Sequence, residues 1–103
     1  MENQKIKYDK GKLQYSLLPF ESIDAMVDIM TWAIDPEQRD KPYKKGSWKE
    51  VDIERYIDAL GRHYSAYCKG EKLDQESLKH HMAHIMCNAA FILSKELDTN
   101  KEL

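Results

Sequence analysis

Cysteine is scarce: the chain has two in 103 residues, Cys68 and Cys87, and they do not form a CxxC pair. That excludes a disulfide framework and the paired-cysteine zinc patterns, leaving two free thiols in a reducing compartment. Long apolar runs are also missing. None approaches the ~18 residues of a membrane span, so no membrane partner is expected. The first 20 residues are polar and lysine-rich, without the apolar core of a secretory signal, so the expected location is the cytoplasm. There is no excess of positive charge. Sixteen basic against eighteen acidic residues give a net charge of −2. Binders of polymeric nucleic acid are usually basic, so none is expected as a partner. Sustained period-two alternation is absent too, which leaves no sheet to build.

What the chain does have is helical periodicity. Ile23, Met26, Val27, Met30 and Ile34 recur at three- and four-residue spacing and predict a first helix over 21–34. Pro19 suits its start, and Pro36 blocks its continuation. Ile53, Ile57, Leu60, Tyr64 and Tyr67 predict a second helix over 52–68, with Asp52 as N-cap and Gly70 as stop. A third is predicted over 75–97, capped by Asp74 or Ser77. It faces Leu78, Met82, Ile85, Ala89, Ile92 and either Phe91 or Leu93 inward. The reading is an all-α single domain, 1–103: a three-helix unit with an extended segment at 1–18, a long loop between the first two helices, and a frayed tail at 98–103. Gly61 costs its helix ~1 kcal/mol relative to Ala, so a close helix–helix approach is expected there. So small a core is expected to be completed by homo-oligomerisation.

The charge is segregated. Four lysines face two acids over 1–20, five basic residues face Asp40 over 39–49, and Glu71, Asp74 and Glu76 face Lys72 over 71–76. The connection 35–50 is longer than most helix–helix loops, and it places Tyr43 and Trp48 among cations. An aromatic beside cations can stack a base and hold phosphates. The second half concentrates chelating groups: His63, Glu71, Asp74, Glu76, His81, His84 and Asn88. His81, His84 and Asn88 share one helix face, whereas His80 and His81 cannot share one. Carboxylates suit Mg²⁺ or Mn²⁺, and imidazoles suit Mn²⁺, Zn²⁺ or Fe²⁺.

These motifs resemble a family. Lys7-Tyr8-Asp9 with Gly11-Lys12, Tyr15 and Leu17-Leu18-Pro19, then Ser47-Trp48, Arg55-Tyr56, Ala59-Leu60 and Arg62-His63, look like the phage-type dATP/dGTP diphosphohydrolase N-terminal domain. Gly70-Glu71, Asp74, Glu76-Ser77, His81, Ala83-His84 and Asn88-Ala89 are similar to its GExxDxESGxxHxxHxxxNA signature. Where that signature has glycine and proline, this chain has Leu78 and His80. The segment after the first helix also differs, reading Trp32-Ala33-Ile34-Asp35.

The resemblance implies a nucleotide-handling protein acting in the host cytoplasm. As an enzyme, it would hydrolyse purine dNTPs to monophosphate and pyrophosphate. His63, Glu71, Asp74 and Glu76 would be catalytic, and Glu71, Asp74, Glu76, His81 and His84 would hold Mg²⁺ or Mn²⁺. Lys7, Tyr8, Asp9, Lys12, Lys45, Trp48, Arg62 and Asn88 would contact the nucleotide. The alternative is a metal-free sponge that sequesters a nucleotide immune messenger without cutting it.

Overall fold

A computed structural model describes residues 10–98. Lys7, Tyr8 and Asp9 lie outside the described residues, as does most of the predicted tail. Three α-helices carry the fold: α1 (Phe20–Ala33), α2 (Ile53–Cys68) and α3 (His81–Leu97), with short 3-10 turns at Tyr15–Leu17 and Ser47–Glu50. Among the described residues there is no strand beyond an isolated antiparallel bridge, Leu73 to His80. The all-α expectation holds. No helix of the described residues is long and apolar enough to cross a membrane.

The third helix is central: α1 and α2 pack on α3 and not on each other. This explains where the predicted stripes fail. A helix between two neighbours needs apolar groups on two sides, and a single 3.6-period stripe misplaces them. On the α1 side, Ala83 and Cys87 are buried with Ile29, and Met26 and Met30 pack around them. The Cys87 thiol donates to the Met26 carbonyl at 3.3 Å. Phe91 also packs on this cluster, stacks on Trp48 with ring centroids 5.1 Å apart, and meets Tyr56 of α2 at 5.2 Å. Leu78 and Ala89, predicted inward, are exposed, and of the alternatives Phe91 and Leu93 it is Phe91 that packs inward. Val27 of α1 and Ile34, its C-cap, are exposed as well, and Ile29 is the buried residue instead.

The α2 stripe is also corrected. Tyr56 and His63 turn towards α3, while Ile57 is 52% and Tyr64 56% exposed. A Cβ on Gly61 would meet nothing within 4 Å, so no close approach occurs there within the described chain.

The largest boundary correction is at α3. It begins at His81, not at residue 75. Residues 72–81 instead close a short loop: the His81 N–H donates to the Lys72 carbonyl at 2.9 Å, and the Asp74 N–H to the Lys79 carbonyl at 2.8 Å. The Asp74 carboxylate accepts from the N–H groups of Glu76 (3.1 Å) and Ser77 (2.9 Å). Such side-chain capping offers the backbone an alternative to helix. Leu78 then takes φ 61, the left-handed region, and ends any helical run. The α3 N-cap is His80, whose ring nitrogen accepts from the Met82 N–H. Lys79 ties the loop to α1 through Asp28, 2.6 Å away.

Candidate functional site

The site is built where the end of α2, the 71–80 loop and the first turns of α3 converge. The helix-ending turn after α2 sets Glu71. Gly70, at φ 102, reverses the chain so that the Glu71 N–H reaches the Ala66 carbonyl at 3.0 Å. The Glu71 carboxylate then meets His81 Nε2 at 2.6 Å and accepts from the Gln75 side chain at 3.0 Å. His81 is only 2% exposed. Its other ring nitrogen, Nδ1, lies 2.8 Å from His63 Nδ1 on α2. Asp74 Oδ1 stands 3.9 Å from the same His63 nitrogen. His84, one turn beyond His81, stacks on His63 with centroids 4.3 Å apart and rings within 6° of parallel. Its Nε2 pairs with the Ser77 hydroxyl at 2.7 Å.

The electrostatics follow from crowding three imidazoles beside one carboxylate. Burial lowers the His84 pKa to about 4, and the neighbouring His63 pushes the same way. His63 is also lowered, by burial first, with Asp74 opposing. Burial alone would raise the Asp74 carboxyl. The Ser77 N–H and the nearby His84, with smaller contributions from the Ser77 hydroxyl and His63, hold it below its ordinary value instead. Near neutral pH, His63 and His84 are therefore uncharged and Asp74 is ionised, so each can act as an electron-pair donor.

His63, Asp74 and His81 each offer one donor atom, and the three atoms lie within 4.8 Å of one another. Of the residues expected from sequence, Glu71, Asp74, His81 and His84 do converge, together with His63. Glu76 is exposed, and its backbone, not its carboxylate, joins the turn. Asn88 is buried, but its amide donates to the His84 carbonyl of its own helix at 3.0 Å.

The expected nucleotide contacts are scattered. Lys12 and Lys45 are exposed. One face of Trp48 is taken by Phe91, and its carbonyl accepts from the Tyr56 hydroxyl at 2.9 Å. Arg62 lines an open cleft of about 430 Å³ with Ser65, Ala66, Lys69 and Glu71. Sequence reasoning missed two features here. Lys69 joins Arg62 at i+7, a spacing that a helical wheel shows directly. In the loop, Arg39 lies 4.1 Å over Trp32 and 5.4 Å from Tyr43, an arrangement that no spacing rule announces.

Fold and site together define a small all-α domain with a histidine–carboxylate centre beside a basic cleft. The family model for the N-terminal region of dATP/dGTP diphosphohydrolase matches residues 2–102, and the chain belongs to that family. A similar protein is the dATP/dGTP diphosphohydrolase of Salmonella phage PMBT28, 31% identical over 87 residues. That match covers 84% of this chain and 28% of the relative's length. No solved structure matches.

Proposed function

We propose that this chain handles purine deoxynucleoside triphosphates and, with a divalent ion, hydrolyses them to monophosphate and pyrophosphate. The observation that carries the reading is the position of Glu71, which belongs both to the basic cleft and to the imidazole cluster. A triphosphate in the cleft has Arg62 and Lys69 as cationic partners. Its α-phosphorus then faces the cluster across Glu71. That carboxylate, oriented by His81 and Gln75, positions the attacking water. The water oxygen bonds to the α-phosphorus as its proton passes to the Glu71 carboxylate, the bond to the bridging oxygen breaks, and pyrophosphate leaves with that oxygen. A divalent ion, when bound, would supply neutralisation of the developing charge. By analogy with the phage relative, the work would be control of a nucleotide pool in an infected cytoplasm.

A homo-oligomer is part of this proposal. Among the described residues only Ile29, Ala83 and Cys87 are buried hydrophobics, which is little for a domain of this size to fold on. The exposed Ile57–Gly61–Tyr64 face of α2 is the surface that a second copy would cover.

The test is incubation with dATP or dGTP and Mn²⁺ or Mg²⁺, reading pyrophosphate. Turnover that falls at least tenfold in Glu71→Gln supports the reading. Absence of pyrophosphate with every ion, and recovery of intact nucleotide from the denatured protein, would replace it with sequestration.

A further inference from the structure

We infer that His63 Nδ1, His81 Nδ1 and Asp74 Oδ1 form a binding site for a transition-metal dication, with Glu71 as the group that orients His81. The inference deepens the proposed hydrolysis by naming its ion and the atoms that hold it. It differs from the five-ligand, carboxylate-led set expected from sequence, because Glu76 does not reach the junction and His84 is engaged by Ser77.

Three observations carry it. The first is the histidine pair. The Glu71 carboxylate can only accept, so His81 Nε2 bears the hydrogen and His81 Nδ1 presents a lone pair. With the His81 ring neutral, His63 Nδ1 donates its proton to that lone pair across the 2.8 Å contact. One shared proton between two imidazole nitrogens is a position where one cation can stand, once the His63 proton moves to its Nε2. The second is Asp74. Its Oδ2 is committed to the Glu76 and Ser77 N–H groups, which fixes the carboxylate and leaves Oδ1 turned towards His63. The third is the outer group. A carboxylate on the far nitrogen of a ligating imidazole sets its tautomer and strengthens it as a donor, and Glu71 occupies that position on His81.

Two imidazoles and one carboxylate favour ions such as Mn²⁺, Fe²⁺, Co²⁺ or Zn²⁺ over Mg²⁺, which prefers an all-oxygen shell. Three protein donors also leave coordination positions for water and a phosphate oxygen. The donors come from α2, α3 and the loop between them, so an ion here ties three segments together and stabilises the fold.

The test uses the full chain stripped with a chelator and titrated with Co²⁺, Zn²⁺, Mn²⁺ and, separately, Mg²⁺. Expected are saturable binding of one Co²⁺ or Zn²⁺ per chain, a rise in Tm, and a visible Co²⁺ spectrum characteristic of nitrogen ligation. Mg²⁺ at the same concentration leaves Tm unchanged. His63→Gln and Asp74→Asn each weaken binding at least tenfold, and Glu76→Gln leaves it unchanged. If a variant fails to fold, ¹⁵N imidazole signals of the wild-type chain decide. Zn²⁺ must shift those of His63 and His81 and spare His80. No saturable binding, equal response to Mg²⁺, or shifts confined to other histidines overturns the site. Tight Zn²⁺ or Co²⁺ binding without dNTP turnover sinks the hydrolysis reading and keeps the site. Mg²⁺-supported turnover that survives His63→Gln does the reverse.

Discussion

Leu78 holds the turn that aims Ser77 at His84, and it does so in a conformation that leucine disfavours. Its φ of 61 is the one left-handed value among the described non-glycine residues. A residue with a Cβ in that region costs ~1–2 kcal/mol. Leu78→Gly removes this cost. Against the gain stand two losses. The side chain is 72% exposed, so its remaining burial contributes only about 0.5 kcal/mol. Glycine also loses about 0.5–1 kcal/mol more chain entropy on folding than alanine. Leu78→Gly should therefore fall between about 0.5 kcal/mol destabilising and about 1 kcal/mol stabilising. Leu78→Ala keeps the strain and loses the contact, so it should destabilise by about 0.5 kcal/mol. The decisive quantity is the order of the two variants. Within a helix alanine exceeds glycine by ~1 kcal/mol; here glycine should exceed alanine by ~0.75 kcal/mol at the midpoints of the two terms. For a domain of this size that places the Gly variant's Tm roughly 2–8 °C above the Ala variant's. Thermal melts followed by circular dichroism measure it. An Ala variant as stable as the Gly variant, or more so, refutes the strained-turn argument.

Other expectations test separate parts of the structure. Gly61→Ala should stabilise a lone chain by about 1 kcal/mol, since the added Cβ meets nothing. If a second copy packs on that face, the same change lowers the oligomer fraction in light scattering, and Tyr64→Asp lowers it further. Cys68 is exposed, whereas Cys87 is buried with its pKa pushed up to about 11. Iodoacetamide under native conditions should thus alkylate Cys68 and spare Cys87, as mass spectrometry of peptides would read; equal labelling contradicts the placement of Cys87. The metal-free protein should lose stability as pH falls from about 6.5 to about 4, because the unfolded chain takes up a proton that folded His84 refuses. Asp74, depressed below its ordinary 3.8, adds a further loss at lower pH. A Tm that stays flat across that acid range contradicts the buried, neutral state of His84.

The helices were legible because their evidence is local. The boundaries of α1 and α2 fall within a residue of those read from proline, glycine and apolar spacing. Their packing faces were less legible, since a stripe of apolar residues says that a face exists and not which neighbour takes it. Ile57 and Tyr64 satisfy the period and still face outward. The choice of His81 over His80 followed from helix geometry alone, and the structure buries His81 in the cluster and makes His80 the N-cap. What sequence could not supply was the loop between α2 and α3. Asp74 and Ser77 look equally like helix caps when read along the chain. Only the left-handed turn at Leu78 and the bridge from Leu73 to His80 show that their hydrogen bonds close a loop instead. That difference changes the chemistry inferred. Continued helically through residues 74–77, the chain would point Glu76 ~200° away from Asp74 and keep Ser77 within ~60° of it. The loop folds Asp74 back towards His63, leaves Glu76 outside, and turns a row of candidate ligands into a three-atom cluster with Glu71 behind it.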